Sequence, residues 1–246
     1  MRLVGVGVGP GDPELVTVRG VRELQSADRV FVPVLSAGER GRAEATVRAY
    51  APADRVERLV FTLDDRGGAT AARQAAWTAA AERIADYLGA QHLEGRPGTA
   101  AFATIGDPNV YSTFAYLAAA VRERLPEVRV ETVPGITAMQ ELAARSGTVL
   151  CEGTESLTLA PLTAGLAAFE QALAGDGSVV AYKGGRHLAA AREAVERHGR
   201  LDAAVYGAGL GLAGERICAL ADAPAEAPYL STVLVPSTRT RRGGKL

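Results

Sequence analysis

The stretch Leu3-Val4-Gly5-Val6-Gly7-Val8-Gly9-Pro10-Gly11-Asp12 decides the fold class. Its first part alternates branched apolar residues with glycines, a composition suited to a short strand from Leu3 to Val8. Gly9-Pro10-Gly11 stops that strand, and the residues up to Ala27 place Leu15, Val18, Val21 and Leu24 at helical intervals. Strand, loop and helix in that order open an α/β domain.

Working outward, the order repeats. Asp28 to Val32 reads as a second strand, Arg42 to Tyr50 as a helix and Arg55 to Phe61 as a third strand. Ala69 to Leu88 is rich in alanine and free of internal glycine or proline, which predicts the longest helix of the first half. Thr99 to Thr104 reads as a buried strand, Tyr111 to Arg124 as a helix carrying Phe114, Leu117 and Val121, and Val128 to Val133 as a strand. A helix over Thr137 to Ser146 and strands at Leu157 to Ala160, Val179 to Tyr182 and Leu201 to Tyr206 follow. Arg216 to Ala219 and Leu230 to Val235 have no helix between them, so they are expected to form an antiparallel hairpin. The break at Leu125-Pro126 divides the chain into two expected α/β domains, 1–125 and 126–246.

With 246 residues, 48% hydrophobic and 22% charged, the chain can bury a real core. Basic residues number 27 and acidic residues 28, so the net charge of -1 gives no overall attraction to nucleic acid or to an anionic membrane. No apolar run reaches the ~20 residues of a membrane span. The N-terminus is too short and glycine-rich for a signal-peptide core, and the expected location is the cytoplasm. Cys151 and Cys218 belong to no CxxC pair and are expected as buried, reduced thiols. His92, His187 and His198 lack metal-ligand spacing, so no metal site is expected; His187 is placed at the start of a helix and His198 at the end of one. Trp77 falls in the long helix as a packing residue, and Thr238 to Leu246, with Arg239, Arg241, Arg242 and Lys245, reads as a solvated terminus.

Three loops follow predicted strands, where open α/β sheets hold ligands. In the first, Pro10 occupies the place where a GxGxxG helix would begin, which disfavours a phosphate cradle; the glycines instead leave main chain open to a flat ligand, or simply make a tight turn with Asp12 as cap. The second is Ile105-Gly106-Asp107-Pro108-Asn109-Val110-Tyr111-Ser112-Thr113. Asp107 there either accepts from a ligand ammonium or caps the following helix. The third, Val133-Pro134-Gly135-Ile136-Thr137-Ala138, again runs from strand through turn to a helix opened by a hydroxyl residue.

Taken together, the Gly-Pro-Gly-Asp, Gly-Asp-Pro and Pro-Gly-Ile-Thr loops resemble, in order and spacing, the tetrapyrrole methylase family over nearly the whole chain. The precorrin-2 C20 group of that family is the most similar, through Gly9-Pro10-Gly11-Asp12-Pro13-Glu14-Leu15 with Thr17-Val18-Arg19, through Tyr111-Ser112-Thr113-Phe114 with Tyr116-Leu117, and through Glu152 and Glu155. Lys183 points the same way, since many other members carry methionine there.

The resemblance implies two α/β domains with S-adenosylmethionine bound between them, a homodimer, and precorrin-2 or its cobalt complex as substrate. By the same similarity, cofactor contacts fall on Pro10, Ile105, Gly106, Asp107, Val110, Thr137, Ala138, Lys183 and Ala208. Ala208 sits in a glycine-rich segment whose register is open to a slip of a residue or two. Tyr111, Ser112 and Lys183 are the expected substrate contacts, and Arg40 and Arg42 are either further contacts for substrate carboxylates or solvated loop residues. No residue is assigned as catalytic base. Methylation at another ring carbon, or ligand binding without catalysis on the same fold, are the rival readings.

Overall fold

The computed structural model describes residues 1–36, 38–61 and 71–239, without the side chain of Ala164. It is an α/β protein with two five-stranded sheets, one in each of two compact units that divide between Thr137 and Ala138.

The first unit holds β1 (Arg2–Gly7), α1 (Val18–Ser26), β2 (Arg29–Val34), α2 (Arg42–Val47), β3 (Val56–Val60), α3 (Ala71–Leu93), β4 (Thr99–Thr104), α4 (Phe114–Arg124) and β5 (Arg129–Val133). All its strand pairs are parallel, in the order β3-β2-β4-β1-β5. Such a sheet needs cover on both faces. Val4, Val6 and Val8 pack towards Leu24 of α1 and Val47 of α2, while Leu3, Phe31 and Phe102 pack with Ile84 of α3 and Leu117 of α4. Gly5 serves this packing: a Cβ there would stand 2.5 Å from the ring of Phe114. Trp77 packs against the edge of the same core and stacks on Tyr116, with centroids 5.0 Å apart. The first residues assigned by sequence to the long helix, Ala69 and Thr70, lie outside the described residues, and α3 runs on to Leu93.

β5 pairs with β1 from Arg2↔Arg129 to Val6↔Val133, so it belongs to the first sheet. The division therefore falls after Thr137 and not at Leu125-Pro126, where the chain merely turns between α4 and β5. Proline marked the end of a helix there, not the end of a domain.

The second unit holds α5 (Ala138–Ser146), β6 (Leu157–Pro161), α6 (Ala167–Leu173), β7 (Ser178–Tyr182), α7 (Leu188–Arg197), β8 (Val205–Ala208), β9 (Arg216–Ala219) and β10 (Ser231–Val235). Its sheet order is β6-β7-β10-β8-β9, with β6 and β7 parallel and the other pairs antiparallel. Leu142 of α5 packs with Val180 and Leu234, and Phe169 of α6 and Val195 of α7 pack with Val179 and Val233.

Two expectations are corrected here. The hairpin joins β8 to β9, and β10 inserts between β7 and β8, so β9 and β10 do not pair. The expected strand at Leu201 starts later, because Leu201–Ala203 closes a single 3-10 turn and β8 begins at Val205.

Arg200 is the polar centre of this unit. Its guanidinium, in a residue only 9% exposed, reaches the carbonyl oxygens of Leu173, Gly175, Gly177, Val235 and Pro236 at 2.6 to 3.5 Å. The start of the tail is also tied down, against expectation: Arg239 meets the carboxylate of Glu155 at 2.9 and 2.5 Å. Arg241, Arg242 and Lys245 lie outside the described residues. Cys151 is exposed and Cys218 half-buried, which corrects the expectation that both are buried.

Candidate functional site

In the first unit, β4, β1 and β5 are neighbours, so the loops after their carboxyl ends lie side by side although the sequence separates them widely. The three loops touch main chain to main chain. The N–H of Gly106 donates to the carbonyl of Gly9 at 2.8 Å, and the N–H of Val8 donates to that of Thr104 at 2.9 Å. A Cβ on Gly7 would stand 2.6 Å from the oxygen of Gly106 and 2.6 Å from the nitrogen of Gly135; one on Gly135 would stand 2.1 Å from the same oxygen. Glycine is thus demanded at 7 and 135 by the chain itself. Gly106 differs. Its φ of 69° favours glycine, and the space on its Cβ side is open, with the Cα of Thr137 the nearest atom at 4.0 Å.

Asp107 neither caps α4 nor stands idle. One carboxylate oxygen accepts from the N–H of Asn109 at 2.7 Å and the other from the N–H of Gly135 at 3.0 Å, which staples the second loop to the third. The helix starts later than expected, at Phe114, because Tyr111 adopts a left-handed φ of 50° and the hydroxyl of Ser112 accepts from the N–H of Phe114 at 3.2 Å. That hydroxyl also bonds Thr104 Oγ1 at 3.0 Å. Ser112 therefore spends its hydroxyl on the loop, whereas Tyr111, expected beside it as a substrate contact, is 39% exposed. Partial burial raises the Tyr111 phenol pKa. Asp12 does act as a cap, accepting from the N–H of Glu14 at 2.8 Å.

Of the expected cofactor contacts, Pro10, Ile105, Gly106, Asp107, Val110 and Thr137 all belong to these three loops. Pro10 and Thr137 are buried, and Val110 donates its N–H to the Asp107 carbonyl at 3.3 Å. Arg40 is exposed and Arg42 opens α2.

Ala138, Lys183 and Ala208 belong to the second unit. β7 and β8 both pair antiparallel with β10, so their carboxyl ends flank its start, where Ser231 stands opposite Ala208 and Thr232 opposite Tyr182. Ala208 is the last residue of β8, and the glycine-rich segment follows it. Lys183, directly after β7, has a φ of 59°; it and Tyr111 are the two non-glycine residues with positive φ among those described. Strain of that kind persists where the surroundings enforce it and gathers at functional sites.

Three residues here were not anticipated. Tyr229 holds its ring under the Lys183 ammonium at 5.7 Å, Ser231 accepts on Oγ from the N–H of Gly185 at 3.3 Å, and the hydroxyl of Tyr182 accepts from the N–H of Met139 at 3.3 Å. The doublet Gly184-Gly185 was the available signal: a Cβ on Gly184 would meet Ser231 Oγ at 2.6 Å. His187 stands immediately before α7, and His198 closes that helix, its Nδ1 2.8 Å from the carbonyl oxygen of Ala194. Among the described residues, no helix is long and apolar enough to cross a membrane.

A parallel sheet whose adjacent strands end in mutually stapled glycine loops, followed by a second mixed sheet, defines a two-unit α/β fold, and residues 2–223 match the model of the Tetrapyrrole (Corrin/Porphyrin) Methylases. The chain belongs to that family. It is 37% identical to a precorrin-2 C(20)-methyltransferase of Sinorhizobium sp, over 98% of this chain and 97% of the other. It is 30% identical to a cobalt-precorrin-2 C(20)-methyltransferase of Salmonella typhimurium, over 95% of each. Among solved structures, it is similar to the uroporphyrin-III C-methyltransferase of Thermus thermophilus complexed with S-adenosylhomocysteine, with TM-score 0.60, 22% identity and coverage of 95% of this chain and 97% of the other.

Proposed function

We infer that this chain is a C-methyltransferase of cobalamin biosynthesis that transfers one methyl group from S-adenosylmethionine to C20 of precorrin-2 or of its cobalt complex. The observation that carries this reading is the full-length likeness to the Sinorhizobium enzyme, together with the convergence in the first unit of the loops that the family resemblance singled out. The cofactor, when bound, supplies an electrophilic methyl on a sulfonium.

The residues of the loops fit such a ligand. The open side of Gly106 next to Thr137 offers main chain for close approach, and Pro10, Ile105, Asp107 and Val110 belong to the same set of loops. Asp107 fixes the loops by its two backbone bonds and keeps lone pairs with which to accept from an ammonium. Lys183 is suited to a substrate carboxylate, and Tyr111 offers a half-exposed ring to a flat macrocycle. No protein nucleophile is required: the chain's contribution is to hold acceptor carbon, methyl and sulfur in line and to keep water away. A homodimer and a cytoplasmic location complete the reading, on the family resemblance.

Incubation with precorrin-2 or cobalt-precorrin-2 and methyl-labelled cofactor is expected to give a product one methyl heavier, labelled at the meso carbon between rings A and D. Label at a pyrrole carbon assigns a different ring position, and no transfer to either substrate refutes the reading. Light scattering after size exclusion is expected to report twice the 25.5 kDa chain mass; the chain mass alone would refute the dimer.

A further inference from the structure

We propose that Tyr229 is a positioning residue that holds the Lys183 ammonium in place for a carboxylate of the substrate; the proposal rests on the methyltransferase reading above. Lys183 is one of only two non-glycine residues in left-handed backbone among those described, a conformation that the structure around it must enforce. The enforcement is visible on its carboxyl side. The N–H of Gly184 and the N–H of Gly185 both turn towards Ser231, to its carbonyl at 3.4 Å and its hydroxyl at 3.3 Å, and Ser231 is 1% exposed. Gly184 leaves no room for a side chain against that hydroxyl, and the Cα of Tyr229 lies 3.8 Å from where a Cβ on Gly185 would be. The segment Tyr229 to Ser231 therefore packs on the turn that follows Lys183, and the Tyr229 ring stands under its ammonium at 5.7 Å.

This geometry addresses a cost that a lone lysine would meet. A four-carbon stem samples many rotamers in water, and freezing it on a ligand opposes binding. A ring face beneath the ammonium restricts the stem before the ligand arrives. The start of β10 stands opposite Ala208 across the β8–β10 pair, so Tyr229, two residues before β10, lies near the strand ends that carry Lys183 and Ala208. The class of ligand that such a held ammonium takes is an anion, and the acetate and propionate groups on the rim of the proposed substrate are of that class.

The test compares Tyr229→Leu with Tyr229→Phe, on whichever precorrin-2 form the unaltered protein methylates. Tyr229→Leu is expected to raise KM for the tetrapyrrole about three-fold, the size of one cation–ring contact, with a smaller change in kcat, and Tyr229→Phe is expected to restore it. In a Lys183→Met background, Tyr229→Leu is expected to add nothing. The upfield ring-current shift of the Lys183 ε-methylene in NMR spectra is expected to survive Tyr229→Phe and to vanish in Tyr229→Leu, which checks the pair without substrate. An unchanged KM in a folded Tyr229→Leu protein that still methylates, or an equal effect in the Lys183→Met background, overturns the proposal alone. Absence of turnover by the unaltered protein on both substrates overturns the functional reading and the proposal with it.

Discussion

The two units hold their candidate residues by different means. In the first, Gly7, Gly106 and Gly135 press main chain against main chain, and a single carboxylate, Asp107, staples the result. In the second, Lys183 and the turn after it are held by side chains, through Tyr229 and Ser231. Main chain in contact with main chain has no rotamers with which to yield, so the first arrangement tolerates no added atom. A hydroxyl or a ring can shift, so the second is adjustable but depends on each side chain that supports it.

Buried charge is handled the other way round, by side chains in the first unit and by main-chain carbonyls in the second, and it sets the largest expected effect. Glu44 in the first unit is buried, which by itself raises its pKa, but its hydrogen bonds to Arg58 and Arg48 prevail and leave it lowered. Arg200 in the second unit instead bonds carbonyl oxygens in the segment before β7 and at the end of β10, and burial lowers its pKa. Arg200→Met is expected to strand those carbonyls and to destabilise the protein by about 4 kcal/mol, more than one charged hydrogen bond contributes. Urea unfolding measures it. A loss below about 1 kcal/mol would mean that water replaces the guanidinium and that the unit does not depend on this side chain.

Gly135→Ala comes next. Its Cβ would stand 2.1 Å from the Gly106 oxygen, so the loops must part, at a cost of about 3 kcal/mol and with loss of cofactor binding. Gly184→Ala is the counterpart in the second unit, where the obstacle is the Ser231 hydroxyl at 2.6 Å. Since that hydroxyl can rotate, a loss of about 1 kcal/mol is expected. Thermal melts of the two variants side by side decide whether main-chain contact is the stricter constraint; equal losses would dissolve the contrast.

That contrast also explains what the sequence made legible. Sites assembled from main chain leave glycines, prolines and cap residues at fixed places, and the three loops at Pro10, Gly106 and Thr137 were found from those marks. Sites assembled from side chains leave ordinary residues: Tyr229 and Ser231 lie far from Lys183 in sequence, and only the insertion of β10 between β7 and β8 brings them to it. Strand order of that kind is a long-range property, which is why β9 and β10 were paired wrongly and why β5 was assigned to the wrong domain. The bond from Gly135 to Asp107 was not legible for a related reason, since Gly135 belongs to a loop that local pattern does not connect to Asp107.

Asp107→Asn separates staple from ligand contact. The amide keeps one acceptor oxygen, so either Asn109 or Gly135 loses its partner, and a loss of about 2 kcal/mol is expected. If calorimetry shows that affinity for S-adenosylhomocysteine falls in step with stability, Asp107 acts through the loops. A fall in affinity with unchanged melting temperature would make it a direct contact and would bring a side-chain element into the first unit's site.

The smallest expected effect is one of pH, and it tests whether the second unit's reliance on side chains extends to its tail. Arg239 holds the Glu155 carboxylate at 2.5 and 2.9 Å, and the N–H of Glu152 adds a bond at 3.0 Å. These bonds, the Arg239 bond foremost, keep the Glu155 pKa down at about 2 from an ordinary 4.5. Because the folded value lies below the unfolded one, the contribution to stability is complete above pH 4.5 and is lost as the pH falls towards 2. Glu155→Gln, which cannot titrate, is expected to be less stable than the unaltered chain at neutral pH and to converge on it through that window. Truncation after Ser237, which removes Arg239, is expected to bring the loss of stability to higher pH, since Glu155 then titrates nearer its ordinary value. Chemical unfolding at stepped pH gives the curves. Parallel curves for Glu155→Gln and the unaltered chain would show that the ion pair contributes nothing to folding, and that the tail is bound to the second unit by its other bonds, such as those of Arg239 to the Val149 carbonyl and of Ser237 to Ser178.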